Sequence, residues 1–289
     1  MQLMLIAEIG SNHKGELETA HQMIKFASIF CQVNVVKFQK RTPKELLTKE
    51  EYNARQLNSQ HSFGETYGQH LEFLEFDVDE HRLLKQWCEE ENLIYSTSVW
   101  DMTAAREIVS IDPKMIKIPS ASNLDFEMLG FLCNEFQGEI HLSLGMTTRK
   151  EEEKIVSFFE KRGRNKDLVL YACTSGLRIP FDDLSLLEIA RLKDTYSGRI
   201  KAFGFSGHHL GIAADIAAMT LGATYFQRHL TLDHTWKGAD QAASLEPEEM
   251  RRLAHDLRDV SRALTHKKEE ILNIEKEERL KLKKRISVE

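Results

Sequence analysis

The sequence predicts a single-domain α/β fold, a (β/α)8 TIM barrel, on three observations. Eight short apolar runs alternate with helical patterns along the chain, as expected when buried parallel strands are separated by helices. The length of 289 residues suits one barrel of roughly 250 residues. No glycine-rich GxGxxG turn follows the first run, which argues against the alternative of an open, doubly wound sheet.

The eight apolar runs are the predicted strands. In chain order they are LMLIAEIG at 3–10, VNVVKFQ at 33–39, LIYSTS at 93–98, MIKIPS at 115–120, IHLSLG at 140–145, LVLYACTS at 168–175, KAFGFSG at 201–207 and ATYFQRH at 223–229. A single run of this kind also occurs as a buried helix fragment, so the prediction depends on the whole alternating series.

Helical patterns occupy the segments between these runs. A helix is predicted over 16–30, where four apolar residues share one face: Leu17, Ala20, Ile24 and Ala27. The segment GIAADIAAMTLG at 211–222 is small and apolar and ends in a glycine suited to a helix C-cap. The segment 246–264 opens with acidic residues and a proline, which predicts the last helix of the barrel.

Two segments depart from the strand–helix repeat. Residues 40–76 are polar, with HSFGETYGQH at their centre, and an insertion after a barrel strand emerges at the catalytic face. We therefore expect this insertion to cover the substrate. Residues 267–289 are rich in Lys, Arg and Glu, which predicts a charged C-terminal helix or tail, with an oligomer contact as the alternative. The predicted domain organisation is a catalytic barrel at 1–266 followed by this charged segment.

Composition and charge exclude several classes of protein. The chain is 42% hydrophobic and 29% charged, which is ordinary for a globular domain, and its net charge of -6 gives no reason to expect a nucleic-acid partner. The apolar start lacks the basic region and cleavage site of a signal peptide, and no membrane span is predicted. The four cysteines lie far apart without metal-ligand spacing, so we expect reduced thiols and a cytoplasmic protein.

Polar residues collect at the C-terminal ends of the predicted strands, where barrel enzymes carry their chemistry. They are Glu8, Asn12, His13, Lys37, Gln39, Thr97, Ser98, Lys117, Ser120, Ser143, Thr174, Ser175, Ser206, His208 and His229. Lys37 and Lys117 lie inside strands, where an ammonium group needs an anionic partner. A structural ion pair with Glu8 is one explanation. Together with the serine hydroxyls, however, the two lysines predict a cradle for a phosphate and a carboxylate.

Two histidines end the seventh and eighth predicted strands, which are neighbours in a closed barrel. Taken singly, His208 and His229 fit hydrogen-bonded core residues. Taken together, they predict a site for a divalent first-row metal, with coordination positions left for substrate and water. The loop after the eighth strand carries Asp240, which either orients a ligand, acts as a general base or forms a turn.

The chain resembles the sialic acid synthase family, phosphoenolpyruvate-dependent enzymes whose catalytic domain is a TIM barrel. The resemblance rests on AEIGSNHKGELETA, VKFQKR, HSFGETYGQHLEF, IKIPSAS, SLGM, CTS, GFSGHHLG and QRHLTLDHTWKGADQAASLEP, which follow the family's order from about residue 3 to 265. Its SGH and RHLTLD forms are most similar to the branch that makes 9-phosphorylated nonulosonic acids from 6-phosphorylated hexoses.

The resemblance implies a divalent metal, Mn²⁺ or Mg²⁺, held by His208 and His229. This ion would polarise the aldehyde of an open-chain sugar. Glu8, Asn12 and Asp240 would orient the acceptor sugar and a metal-bound water.

The resemblance also implies a site for phosphoenolpyruvate. Lys37, Ser143 and Ser206 would bind its phosphate, and Lys117 and Ser120 would lie near its carboxylate and phosphate. The other candidates for substrate binding at the strand ends are Gln39 and Ser175.

The chain departs from the family on the acceptor side. It stops near the end of the barrel, where most relatives continue into a small antifreeze-like domain, and this predicts an acceptor without an N-acyl group, such as mannose 6-phosphate. Leu177 and Arg178 replace a tyrosine and a proline, and Arg178 is a candidate for binding a phosphate or carboxylate. Ser122 replaces an acidic residue. His209 and Gln241 also differ from the family's residues at their positions.

The predicted function is a phosphoenolpyruvate-dependent, aldol-type condensation with a small aldose or aldose phosphate. The product is a 2-keto-3-deoxy sugar acid, and phosphate is released. A non-catalytic barrel that binds phosphoenolpyruvate or a sugar in a regulatory role is the main alternative. A metal-dependent aldolase acting on pyruvate is the other. The expected partners are small-molecule substrates, and the resemblance is compatible with a homodimer.

Overall fold

Eight parallel strands close into a barrel in the computed structural model, which describes residues 3–56 and 61–283. They are β1 (Met4–Gly10), β2 (Val35–Lys40), β3 (Ile94–Val99), β4 (Met115–Ile118), β5 (Glu139–Ser143), β6 (Leu168–Cys173), β7 (Ala202–Ser206) and β8 (Tyr225–His229). Each strand pairs with the next along the chain, and β1 pairs with β8 to complete the ring. The predicted (β/α)8 barrel is confirmed, and each strand lies on its predicted apolar run.

Twelve α-helices occur within the described ranges. They are α1 (Leu17–Lys25), α2 (Pro43–Leu46), α3 (Lys49–Tyr52), α4 (Tyr67–Leu74), α5 (Val78–Glu90), α6 (Met102–Ser110), α7 (Phe126–Glu135), α8 (Arg149–Lys161), α9 (Leu187–Tyr196), α10 (Ala213–Leu221), α11 (Pro247–Ala263) and α12 (Asn273–Leu282). The helix predicted over 16–30 is α1 continued by a π-helical turn at Phe26–Phe30. Gly222 ends α10 at φ 114°, a left-handed conformation that favours glycine, as its C-cap role predicts.

The barrel interior has an apolar lower half and a polar upper half. In β2, Val35 packs inside the barrel while Val36 and Phe38 pack against the outer helices, as the alternation of side chains along a strand requires. The apolar interior cluster is Met4, Ile6, Val35, Met115, Val169, Tyr171 and Tyr225. Because most of this cluster comes from the first halves of the strands, the inward residues near the strand ends, such as Lys37, lie above it. The sequence of each strand therefore places the polar groups at one end of the barrel.

The insertion between β2 and β3 is largely helical. It contains α2, α3 and α4, and Thr66 caps α4 with a reciprocal pair of hydrogen bonds to Gln69. An isolated antiparallel bridge between Arg55 and Thr66 joins its two halves. Residues 57–60 of the insertion lie outside the described residues.

The charged segment after α11 forms a short helix, α12, that buries none of its residues. Its apolar side chains Ile274, Leu280 and Leu282 are all exposed. Residues 284–289 of the predicted tail lie outside the described residues, and the domain boundary at residue 266 stays a prediction. All four cysteines are free, and no helix within the described ranges has the length and apolar character needed to cross a bilayer.

Candidate active site

A cavity of about 450 Å³ opens at the C-terminal ends of the barrel strands. Of the polar residues predicted at the strand ends, Ser98 lines this cavity, whereas His13, Thr97 and Thr174 do not. Every residue to which the sequence gave a catalytic, substrate-binding or metal-binding role lines the cavity except Arg178. Those lining it are Glu8, Asn12, Lys37, Gln39, Lys117, Ser120, Ser143, Ser175, Ser206, His208, His229 and Asp240. The insertion between β2 and β3 contributes the aromatic side chains of Phe63, Tyr67 and His70 to the same wall.

Lys37 forms a buried ion pair with Glu8. The two residues are register partners on β1 and β2, so the barrel itself places the ammonium against the carboxylate. Lys37 Nζ also donates a hydrogen bond to Ser98 Oγ at 2.6 Å. Burial lowers the pKa of Lys37, and the charge of Glu8 opposes that effect. The ion pair considered in the sequence as an alternative is therefore present, inside the cavity.

Lys117 is buried in a different environment. Its Nζ lies 3.0 Å from the centroid of the Tyr171 ring and has no hydrogen-bond partner among residues 3–56 and 61–283. Burial, followed by the nearby charge of Lys37, lowers the pKa of Lys117 well below its usual value. An anionic ligand would act against this lowering of the pKa, because its charge would stabilise a cation that has no carboxylate against it.

The serine hydroxyls converge beside these lysines at a glycine. Gly145 follows β5, and a side chain there would lie 2.7 Å from Ser120 Oγ and would also collide with Ser175 Oγ. The Cys173 thiol lies among the same hydroxyls. Burial raises the pKa of Cys173, while hydrogen bonds with Ser206 and Ser120 act against that shift. This corner of the cavity therefore offers several hydroxyl donors to a ligand.

His208 and His229 face each other, with ring centroids 5.6 Å apart. The Nδ1 atom of each ring is buried and without a hydrogen-bond partner in the part of the chain that the structure describes. Burial and the neighbouring His229 lower the pKa of His208 to about 3, so this imidazole is neutral at pH 7. Two facing imidazoles with unsatisfied nitrogens are a donor set that fits a divalent first-row metal.

The carboxylate of Glu8 lies next to these histidines. Glu8 is the register partner of His229, and Gln39 Nε2 donates to Glu8 Oε1 at 3.2 Å. Gly10 makes this approach feasible: its φ is +57°, and a side chain there would lie 3.1 Å from Glu8 Oε1. The described residues contain no group of three or more His, Cys, Asp and Glu side chains arranged as a complete metal site. The imidazole pair would therefore leave coordination positions for other ligands.

Asn12 holds the loop that carries Asp240 in place through hydrogen bonds. Its Nδ2 donates to Leu230 O and to Ser244 Oγ, each at 2.8 Å, and Ser244 Oγ in turn donates to Asp240 O at 2.7 Å. Gln241 ties the same loop down by donating from Nε2 to Asn12 O at 3.1 Å. Gln241 therefore contributes to a buried loop contact.

Two residues singled out on the acceptor side lie away from the cavity. Arg178 is exposed, adopts a left-handed φ of 55° and donates from Nη2 to Ala242 O at 3.4 Å. Ser122 is buried and donates from Oγ to Trp100 O at 2.8 Å. The side chain of Arg178 is thus exposed and does not line the cavity, and its predicted role in binding a phosphate or carboxylate stays a prediction. Leu177, by contrast, lines the cavity.

Sequence reasoning missed Arg41 and His70, which also line the cavity. Arg41 is buried; its Nε pairs with Glu75 Oε1 at 2.5 Å and its Nη2 donates to Ser11 Oγ at 3.2 Å. Burial, followed by the charge of Arg41, lowers the pKa of His70. Both residues lie in segments that the sequence had marked, VKFQKR and HSFGETYGQH. Arg41 directly follows the end of β2 and His70 lies in the insertion that covers the barrel end, and these positions were the sequence signals for a place in the site.

Comparison with known proteins agrees with this geometry. The sequence profile of the NeuB family matches residues 23–269. The chain belongs to the NeuB family. It is 33% identical to N-acetylneuraminate-9-phosphate synthase of Homo sapiens over 271 residues, which covers 94% of this chain and 74% of the human protein. It is 29% identical to N,N'-diacetyllegionaminic acid synthase of Campylobacter jejuni, over 90% of this chain and 77% of that protein.

A solved NeuB-family structure has the same fold along the whole chain. The N-acetylneuraminic acid synthetase of Leptospira borgpetersenii superposes with a TM-score of 0.81 at 28% identity, covering 99% of this chain and 94% of that one. The predicted sialic acid synthase-like family and the predicted enzyme class, a transferase that forms a carbon–carbon bond, are confirmed by these relatives. These relatives do not favour the predicted alternative of a non-catalytic barrel. The roles of individual site residues stay predictions.

Proposed function

We propose that this NeuB-family barrel condenses phosphoenolpyruvate with a small aldose or aldose phosphate, with release of inorganic phosphate. The observation that carries the proposal is that two buried lysines and two half-buried imidazoles, whose Nδ1 atoms are buried, line one cavity. The lysines suit a small polyanion, and the imidazoles suit a cation that activates a carbonyl group. The synthase relatives support the same reaction class.

The lysines and serines form the end of the cavity that would take phosphoenolpyruvate. Glu8 favours the protonated form of the buried Lys37, and Ser98 fixes the direction of its ammonium. Lys117 offers a second cation, and the hydroxyls around Gly145 offer hydrogen bonds to phosphate oxygens. In a buried site such preorganised charges stabilise charge that develops during reaction more strongly than they would in water.

The imidazoles form the end that would take the aldehyde. His208 and His229 would hold Mn²⁺ or Mg²⁺, which would supply Lewis-acid polarisation of the aldehyde oxygen. Glu8 and Asp240, the carboxylates lining this cavity, would orient the sugar hydroxyls and the attacking water. Asn12 would act indirectly, by holding the loop that carries Asp240.

The bond changes follow from these positions. The electron pair of the C2–C3 double bond of phosphoenolpyruvate forms a new bond from C3 to the aldehyde carbon, and the aldehyde oxygen takes up a proton. C2 becomes cationic, water adds there and loses a proton, and a tetrahedral intermediate forms. Its bond to the phosphate oxygen then breaks, leaving a 2-keto-3-deoxy sugar acid and inorganic phosphate. Lys37 and Lys117 would stabilise the negative charge of the departing phosphate.

For the acceptor we propose an aldose phosphate without an N-acyl group, with mannose 6-phosphate as the representative. Arg41 and His70 line the cavity wall formed by the insertion, and Leu177 lines it where the family has tyrosine. The free cysteines agree with a cytoplasmic location, which we also propose.

The test is phosphate release in a defined mixture. The full chain is incubated with phosphoenolpyruvate, Mn²⁺ and one of four acceptors: mannose, mannose 6-phosphate, N-acetylmannosamine or its 6-phosphate. We expect release that needs both metal and acceptor, with mannose 6-phosphate giving the highest kcat/KM. A preference for an N-acetylated sugar would overturn the acceptor assignment alone. Folded, metal-loaded protein that releases no phosphate with any of the four would overturn the proposed reaction. Equal formation of the sugar acid when pyruvate replaces phosphoenolpyruvate, measured on the product itself, would also overturn it.

A further inference from the structure

A chain of side-chain contacts runs through the barrel interior up to Lys117. Tyr171 on β6 and His141 on β5 are fully buried, and Tyr171 Oη lies 2.7 Å from His141 Nδ1. His141 Nε2 lies 3.2 Å from Glu139 Oε2, which begins β5 at the opposite end of the barrel. Glu139 also accepts hydrogen bonds at 3.0 Å from Tyr225 Oη and pairs at 3.0 Å with Lys201 Nζ.

The direction of each hydrogen bond in this chain follows from the charge states. Burial lowers the pKa of His141 to about 4, although Glu139 acts against that shift, so the imidazole is neutral at pH 7. Burial alone would raise the pKa of Glu139, but His141 and Lys201 outweigh it and lower that pKa to about 2. A carboxylate only accepts, so His141 donates from Nε2 to Glu139 and accepts at Nδ1 from the Tyr171 hydroxyl.

A phenol that donates its proton in a hydrogen bond gains electron density in its ring. The face of the Tyr171 ring lies against the Lys117 ammonium, 3.0 Å from Nζ to the centroid. A cation over an electron-rich ring in a desolvated site is attracted by the ring quadrupole. Since Lys117 Nζ has no hydrogen-bond partner within the described ranges, this ring face is its stabilising contact there.

The neighbouring strand keeps the ring in place. Gly204 on β7 is the register partner of Tyr171, and a Cβ at Gly204 would lie 2.5 Å from Tyr171 Cε1. The Tyr171 ring therefore occupies the space that a side chain at position 204 would fill. Lys37 has no comparable need for a ring, because Glu8 and Ser98 already hold its ammonium.

We propose that Tyr171 is a positioning residue, held by His141 and Glu139, that keeps the Lys117 side chain cationic and directed at the anionic substrate. The inference rests on the proposed function, because it takes Lys117 as a group that binds phosphoenolpyruvate. It concerns the contact between Lys117 and Tyr171, a residue that does not itself line the cavity. Without the ring, part of the free energy of phosphoenolpyruvate binding would be needed to protonate and orient the buried Lys117 amine. The affinity for phosphoenolpyruvate would therefore fall.

The experiment compares substitutions that keep or remove the ring. Phosphoenolpyruvate binding to the full chain with Mn²⁺ is measured by calorimetry, and KM for phosphoenolpyruvate, KM for the acceptor and kcat are measured separately. Tyr171→Met removes the ring at similar volume, and we expect affinity to fall about thirtyfold, as for loss of a desolvated cation–π contact. Tyr171→Phe keeps the ring, and we expect affinity within about threefold of the unaltered chain. The acceptor KM should not change in either variant.

Tyr95 provides a matched control. It is a buried tyrosine on β3 whose hydroxyl lies 2.7 Å from His81 Nδ1, the same pairing at the same distance. It packs among the outer core residues, however, whereas Tyr171 packs in the barrel interior against Lys117. Tyr95→Met should therefore lower the melting temperature and leave the phosphoenolpyruvate KM unchanged. If Tyr95→Met and Tyr171→Met raise that KM equally, the effect of Tyr171 is general destabilisation and the inference is wrong.

Lys117→Met separates failure of this inference from failure of the proposed function. If Lys117→Met lowers phosphoenolpyruvate affinity and Tyr171→Met does not, the positioning role is wrong while the proposed site stands. If Lys117→Met leaves affinity unchanged, the assignment of Lys117 to phosphoenolpyruvate is wrong. If Tyr171→Met fails to fold, Gly204→Ala provides the second variant. The added methyl group would displace the ring from Lys117, and an unchanged phosphoenolpyruvate KM would overturn the inference.

Discussion

At the scale of single residues, different contacts offset the free-energy cost of burying the ammonium groups of the two site lysines. Lys37 is neutralised by Glu8 before any ligand binds, whereas Lys117 is left to a ring face and to the ligand. A buried cation without a carboxylate is costly in a structural role, but it is suited to binding an anion. Under the proposed function, we therefore expect Lys117 to contribute the larger share of the affinity for an anionic substrate.

The histidine pair carries the first residue-scale prediction. His208→Ala or His229→Ala should remove Mn²⁺-dependent phosphate release, with turnover at least about a hundredfold lower, because each removes a direct ligand from a two-imidazole site. Metal affinity is followed by calorimetry and turnover by phosphate release. His255→Ala, at an exposed position on α11, is the control and should leave both unchanged. Undiminished Mn²⁺ affinity in either site variant would contradict the assignment.

At the scale of elements, β8 is fastened to α10 by a buried ionic network. Arg228 on β8 pairs with Asp215 in the first turn of α10 and donates from Nη2 to His209 O at 2.7 Å. His209 Nε2 lies 3.1 Å from Arg228 Nη1 and 3.3 Å from Asp215 Oδ2. His209 and Arg228 are adjacent in sequence to the two candidate metal ligands, His208 and His229, so the network fixes the two chain segments that carry them.

Asp215→Asn tests this network. The substitution leaves the Arg228 guanidinium buried without its carboxylate, and we expect the free energy of unfolding to fall by about 3–5 kcal/mol. Urea unfolding followed by circular dichroism measures the change. Asp256→Asn, at a partly exposed surface pair on α11, should alter it by less than about 0.5 kcal/mol. A loss no larger than that of the surface variant would show that Arg228 does not depend on Asp215.

At the scale of the whole molecule, several buried histidines make the fold sensitive to acid. Burial lowers the pKa of His13 and of His81 to about 3, and that of His141 to about 4. In the unfolded chain each titrates near 6.5, so below that pH the unfolded state binds protons that the native state does not. Stability from these residues is complete above about pH 6.5 and is lost as the pH falls towards their folded values.

The expected loss at pH 5 is about 2 kcal/mol for each of these three histidines, which follows from 1.36 kcal/mol per unit of pH below 6.5. Urea midpoints at pH 7.5 and pH 5 measure it. His81→Gln should reduce the difference between the two midpoints, since a glutamine does not titrate. An identical midpoint at both pH values would contradict the buried, neutral state of these histidines.

Most of the architecture could be predicted because its signals are local. Eight apolar runs of strand length, each followed by polar residues, mark both the strands and the end at which chemistry collects. Parallel neighbours in a closed barrel bring those ends together, so Lys37, Lys117, His208 and His229 line one cavity without any knowledge of contacts. The family followed from motifs in a fixed order along the chain.

Sequence by itself thus determined the barrel, the family and most of the polar strand-end residues that line the cavity. Only the tertiary structure decided what each of them touches. Lys37 meets Glu8, Lys117 meets Tyr171, Arg178 faces outward and Arg41 faces the cavity. The physical reason is that hydrophobic periodicity sets the side of a strand on which a residue lies, whereas its partners come from other strands and from loop backbones. Those contacts depend on register and on turn geometry, which no local pattern encodes.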